Sequence, residues 1–211
     1  PTTEMSYWVT ILTGLRVLGL EVTQEDKKAT TKFQQRANAF PVAHPRPFRR
    51  TDVNRLHDLF DKDPLQVAIS LAWHTGQRMG DILQLACNDI EVRAPYVVVT
   101  IRRGKVIQKI GPYTLSMVDN SPLAVSLLEI RKEREETGKL FLWSDNNSDT
   151  ERATNTILAN AMIAEVEPLC ECRSIRRGGL QHMAEQGTSL ELIMMFSKHA
   201  SKEMLLRYLD Y

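Results

Sequence analysis

An arginine, a histidine and a tyrosine near the end of the chain, Arg176, His199 and Tyr208, have the types and spacing from which phosphodiester chemistry can be built. A guanidinium grips phosphate oxygens through paired N–H donors, an imidazole donates to or positions the same group, and a phenol supplies a nucleophile. The surrounding sequence reads RSIRRGGLQHMAEQG from Arg173 to Gly187, then SLELIMMFSKHAS to Ser201 and KEMLLRYLDY to the end. A second segment, His74-Thr75-Gly76-Gln77-Arg78-Met79-Gly80-Asp81, sets Arg78 at a helix entrance, where backbone N–H groups already favour an anion. Asp81, three residues on, shares its helical face and can hold the guanidinium. Taken alone, that pair reads as an ordinary surface contact. Its order and distance relative to the C-terminal run make it a candidate second phosphate clamp.

These residues need elements to position them. Leu65, Ala68, Ile69, Leu71 and Ala72 form the apolar stripe of one helix, Gly76 permits a tight turn, and Ile82, Leu83 and Leu85 restart the apolar period. Ahead of them Thr51 reads as an N-cap, with Val53, Leu56, Leu59 and Phe60 as the buried stripe of a helix. A small sheet is expected next: a strand over 89–93 ended by Ala94-Pro95, a β-branched strand over 96–101, a turn at 102–105 and a returning strand over 106–115. Helices are expected over 122–137 and 151–166, the latter with Ile157, Leu158, Met162, Ile163 and Val166 inward. A polar loop over 145–149 lies between them. Met194, Met195 and Phe196 read as core, His182 as helix surface. Near the start, helices over 6–20 and 23–38 precede a proline-bearing linker at 40–48. The pattern predicts an α+β fold, mainly helical, with one small antiparallel three-stranded sheet.

Composition excludes some classes. With 211 residues, 43% hydrophobic and 25% charged, the chain has the makeup of a globular protein, and no apolar run approaches a membrane span. Cys87, Cys170 and Cys172 form no disulfide framework, point to a reducing compartment and lack zinc-ligand spacing. No metal or cofactor is expected, since exchanging one phosphate ester for another keeps the bond energy. The net charge of +1 conceals three basic clusters: Arg46, Arg49, Arg50 and Arg55; Arg102, Arg103, Lys105 and Lys109; and Arg173, Arg176 and Arg177. If they converge they make a phosphate-binding face, and if they diverge they are solvated charges.

The two arginine segments together resemble the tyrosine recombinase (phage integrase) family. Its C-terminal pattern is a basic residue, two intervening positions, Arg, a helix, a Gly, a second helix, His, and Tyr nine positions further, met here by Arg173, Arg176, Gly187, His199 and Tyr208. Thr75-Gly76-Gln77-Arg78 with Asp81 resembles its first arginine turn. The resemblance implies that Tyr208 attacks a DNA phosphorus to form a 3′-phosphotyrosine, that Arg78 and Arg176 hold the phosphate, that Asp81 supports Arg78, and that His199 bonds to the phosphate or positions the nucleophile. It implies a general-acid lysine in the hairpin, for which Lys105 is the best match among Arg102, Arg103 and Lys109. An ammonium can release its proton, whereas a guanidinium effectively cannot. Arg46, Arg49, Arg50, Arg102, Arg103, Lys109 and Arg177 are the expected DNA-backbone contacts. Residues 1–40 would end a core-binding domain, 41–50 form the linker and 51–211 the catalytic domain. Double-stranded DNA is the implied partner, with a homotetramer on two duplexes as the implied assembly, inside the cell: nucleus in a eukaryote, cytoplasm or nucleoid in a prokaryote or phage. Gly178 and Gly179 after Arg177 give a faint likeness to recombinases of eukaryotic mobile elements. Pro1 at the start and only three residues after Tyr208 read as the ends of an excised piece.

Two positions depart from the pattern. Arg173 stands where the family more often has His or Lys, and Lys198 stands where it usually has Gly. The first removes a group able to exchange protons near neutral pH. Tyr211 competes with Tyr208 as nucleophile, though its spacing from His199 fits less well. The rival functions are DNA relaxation of the type IB topoisomerase kind, a recombinase-derived module that binds DNA without cutting it, and an unrelated helical regulator.

Overall fold

A computed structural model of the chain describes Thr23 and residues 45–104, 106–134, 138–141 and 149–210. Its contacts divide into two units, Pro1–His44 and Pro45–Tyr211, and the candidate site residues lie in the second. The expected helices over 6–20 and 23–38 and the polar loop over 145–148 lie outside the described residues, Thr23 apart.

The second unit begins with α1 (Arg50–Leu59). Its cap is Arg49 rather than Thr51, because the Asp52 carboxylate reaches back to accept from the Arg49 N–H at 2.7 Å. Val53 and Leu56 are buried, whereas Leu59, expected inside, is exposed, since the helix ends there and Phe60 turns inward. Asp63 then caps α2 (Pro64–Thr75), with Pro64 in the first turn where its missing N–H costs nothing. Every residue from Leu65 to Trp73 is buried, so α2 is the central post of the fold. Gly76 ends it at φ 63°, a left-handed conformation open to glycine. The short helix α3 (Met79–Ile82) follows, and Cys87–Asp89 forms a 3-10 turn.

Three antiparallel strands come next, β1 (Ile90–Arg93), β2 (Tyr96–Ile101) and, after a helical turn α4 (Ile107–Ile110), β3 (Tyr113–Val118). Their order is β1-β2-β3, in a register that pairs Ile90 with Val99 and Ile101 with Tyr113. The third strand therefore starts later than the expected 106–115. Gly111, at φ 75°, and Pro112, without an N–H, cannot join a ladder, so pairing begins only after them.

The remaining helices are α5 (Pro122–Glu133), α6 (Asp149–Val166), α7 (Cys172–Glu185), α8 (Leu190–Ser197) and α9 (Lys202–Leu209). Serine caps open α5, α8 and α9: Ser121, Ser189 and Ser201 each accept from a backbone N–H three residues on. Helix α5 ends at Glu133, and 135–137 lie outside the described residues. On α6 the inward residues are Asn155, Ala159, Ile163 and Val166, spaced by four, four and three, so Ile157, expected inside, is 66% exposed and Leu158 is exposed with it.

The main core joins α2 to the sheet, α5 and α6, while Leu180, Ile193, Leu205 and Leu209 form a second cluster under the C-terminal helices. Met195 and Phe196 lie outside that cluster, exposed, contrary to expectation. His182 is not a free surface residue either: its ring packs 4.8 Å from Trp73. The Gly178-Gly179 pair has a packing reason. A Cβ on Gly178 would fall on the Phe48 carbonyl, and one on Gly179 would lie 2.9 Å from the Trp73 carbonyl carbon. Helix α7 thus lies directly on the backbone before α1 and at the end of α2, which fixes the position of Arg176.

Candidate active site

Arg176 projects from α7 into the interior and is only 3% exposed. Its Nη1 donates to the Gly76 carbonyl at 2.9 Å and its Nη2 to the Ser197 carbonyl at 2.6 Å. One guanidinium therefore ties the end of α2 to the end of α8. Burial first, and the Arg78 charge second, pull its pKa down to about 10, which still leaves it cationic at neutral pH. Its Nε is buried with no protein partner.

His199 is 8% exposed and lies beside it, Nε2 3.2 Å from Arg176 Nη2 and Nδ1 2.6 Å from Ser197 Oγ. Arg176 Nη2 is also 3.4 Å from Nδ1, so the guanidinium nitrogen sits against both ring nitrogens, while the Ser197 hydroxyl pairs with Nδ1. Burial, then Arg176 and Arg78, lower the imidazole pKa from 6.5 to about 4, which makes it neutral at pH 7. Tyr208, on α9, completes the group: its ring centroid is 4.9 Å from that of His199 and 5.7 Å from the Arg176 guanidinium carbon. Gln181 on α7 holds the end of α9 through the Tyr208 carbonyl at 3.0 Å and the Asp210 carboxylate at 2.8 Å.

Arg78 is the residue immediately before α3, partly exposed, with Nη1 3.9 Å from Asp81 Oδ2. That separation is the outer limit of an ion pair. Asp81 is nearly buried, and the Gly104 backbone comes so close that a Cβ there would collide with its carboxylate. The hairpin tip thus docks on Asp81. Lys105, next in the chain, lies outside the described residues, as does Tyr211.

Sequence reasoning passed over the residues that brace this cluster. Gln77 is fully buried; its Nε2 donates to the Phe196 carbonyl at 2.8 Å and its Oε1 accepts from the Tyr113 hydroxyl at 2.8 Å. It links the Arg78 turn, β3 and the end of α8. Its place inside the Thr-Gly-x-Arg turn was the available signal. Burial, followed by the Asp81 charge, pushes the Tyr113 pKa up to about 12, so this phenol stays protonated and is a brace rather than a nucleophile.

The basic clusters are more occupied than their sequence context implied. Arg102 Nε and Arg103 Nη1 both reach the buried Asp89 carboxylate, at 2.9 and 3.3 Å, so the acidic partner missing from their own stretch comes from the 3-10 turn. Arg46 pairs with Asp52 and Glu167, each at 2.8 Å. Arg177 pairs with Asp210 and donates to the Pro45 carbonyl. Arg49 and Lys109 are exposed; Arg50 is exposed with its guanidinium 5.7 Å from the Trp73 ring. Arg173 stands apart from the cluster, its side chain 88% exposed and 3.7 Å from Glu171. No group of residues fit to hold a metal ion is present among those described, and no described helix is long and apolar enough to cross a membrane.

Residues 47–211 match the phage integrase family. No curated protein matches the sequence. Among solved structures, the XerH site-specific recombinase bound to palindromic difH substrate is similar with a TM-score of 0.61 at 16% identity, over 79% of this chain and 50% of that one. The XerA recombinase gives 0.63 at 15%, over 99% and 71%. The Tn1549 transposon integrase in complex with a circular intermediate DNA gives 0.57 at 13%, over 97% and 80%. These likenesses show the fold, and this chain spans half the length of the XerH chain. With most of the sequence matched and a mainly helical fold around a three-stranded sheet, the chain belongs to the phage integrase family, the tyrosine recombinases.

Proposed function

We propose that the chain cuts and rejoins DNA strands as a site-specific recombinase or integrase, with Tyr208 as nucleophile. The observation that carries this reading is the packing of Tyr208 and His199 around Arg176, which is itself bonded to the turn before Arg78. The Tyr208 hydroxyl gives its proton to solvent as its oxygen attacks phosphorus, the bond to the 5′ oxygen breaks, and the 3′ phosphate stays on the tyrosine. One phosphodiester linkage is exchanged for another, so the strand can be resealed without an energy source. Arg78 and Arg176 hold the non-bridging oxygens and offset the charge that develops in the transition state. Burial is the first cause of the lowered His199 pKa, and a phosphate between the two cations offsets the part that Arg176 and Arg78 add, which favours the protonated, donating ring. Lys105 is the proposed proton donor to the 5′ oxygen. Asp81 steadies Arg78, and Lys109, Arg49 and Arg50 are the basic side chains best placed to meet the duplex.

Residues 51–211 act as the catalytic domain, 41–50 as linker and 1–40 as the end of a core-binding domain. Four copies assemble on two duplexes. A second reading, a module that binds DNA without cutting it, draws on the solvent position of Arg173.

A pool of nicked duplexes randomised around the nick tests both. Recombinase action gives protein-linked DNA with a free 5′ hydroxyl and strand exchange by a tetramer. Relaxation of a closed supercoiled plasmid by a monomer, without strand exchange, selects topoisomerase action, and binding of the nicked pool without any adduct selects the module.

A further inference from the structure

Lys198 occupies a backbone conformation that lysine rarely adopts. It ends α8 at φ 55° and ψ 40°, in the left-handed region where a Cβ crowds the carbonyl and glycine is the usual occupant. The position also sits between two site residues. Ser197, just before it, gives its carbonyl to Arg176 and its hydroxyl to His199, and His199 comes directly after it. The Lys198 ammonium lies 5.0 Å from the centroid of the Tyr113 ring, the phenol bonded to Gln77 beside Arg78. It has no carboxylate partner among the described residues. A strained backbone that keeps a charged side chain, where the smallest residue would be easier to place, points to work done by that side chain. The aromatic face holds the ammonium without neutralising it, so its charge remains available to an anion.

We propose that Lys198 is a further phosphate ligand: its ammonium, held over Tyr113 at the same helix end that presents His199, contacts a backbone phosphate of the DNA at or next to the one attacked. The assignment rests on the strand-cutting function proposed for Tyr208. It adds a contact that Arg78, Arg176 and His199 do not supply, at a position where glycine could supply none.

The test uses the full chain, a fluorescein-labelled duplex of mixed sequence, and the variants Lys198→Gly and Lys198→Arg. Glycine relieves the backbone and removes the ammonium, so the two effects have opposite signs. Lys198→Gly should melt at a higher temperature than the parent yet bind DNA more weakly, with the slope of log K against log salt shallower by about 0.9, the loss of one phosphate contact. Lys198→Arg should restore the slope. Equal slopes for the parent and Lys198→Gly would overturn the assignment while leaving the Tyr208 chemistry standing. A parent chain that fails to bind duplex DNA would instead remove the strand-cutting reading.

Discussion

Arg176 Nη1 donates to the carbonyl oxygen of Gly76 at 2.9 Å, across one hundred residues of sequence. The two arginine segments are therefore one structure, since the guanidinium that would hold a phosphate also closes the turn that presents the other clamp. Lysine cannot make that bond together with the one to Ser197, because its ammonium lacks the planar fork. Arg176→Lys should slow adduct formation by on the order of 10²–10³-fold, read in single-turnover assays with nicked duplex.

Acid should unfold the protein through His199. In the unfolded chain its imidazole protonates near pH 6.5, and in the fold near 4, held down by burial and then by Arg176 and Arg78. Between those values the unfolded state binds the extra proton, so stability falls as pH falls through this window and is fully retained above it. With the ring 8% exposed, the loss amounts to on the order of 3 kcal/mol. Urea titrations at pH 7, 5.5 and 4 should show the decline, and His199→Gln should reduce it without abolishing it, because burial and the Arg50 charge lower His74 to about 4 as well.

Tyr113→Phe separates brace from nucleophile. Removing the hydroxyl leaves the buried Gln77 Oε1 without its donor and should cost about 1–3 kcal/mol in chemical unfolding. Adduct formation should persist, because the Tyr113 phenol, with its pKa near 12, takes no part in the attack.

The close approach of α7 to α2 sets a limit on volume. An added methyl at Gly179 meets the Trp73 backbone, which cannot rotate away as a side chain could. Gly179→Ala should lower stability by about 2 kcal/mol or more, measured by thermal melting against Gly80→Ala, whose added Cβ meets nothing within 4 Å.

The spacing of the motif residues singled out Arg176, His199 and Tyr208, which the fold packs against one another because α7, α8 and α9 follow in order through short connections. Other features depend on partners distant in sequence. Nothing near Arg102 and Arg103 announces that Asp89 will take both of them, and Gln77 becomes a brace only when Tyr113 and Phe196 arrive from other elements. The start of β3 was misplaced because the apolar run from Val106 ignores the inability of Gly111-Pro112 to pair. Met195, Phe196 and Ile157 look like core by residue type, yet the geometry of their helices turns them outward. Arg173 sits three residues before Arg176, and its place in the motif did not foretell that its side chain would lie in solvent.

The identity of the attacking oxygen is the most direct question to put to the protein. The full chain and its Tyr208→Phe and Tyr211→Phe variants would be incubated with the randomised nicked duplexes, and the linked nucleotide located by peptide mass spectrometry. The expected result is a phosphotyrosine on the peptide carrying Tyr208, absent from Tyr208→Phe and retained in Tyr211→Phe. An adduct that survives Tyr208→Phe would contradict the site.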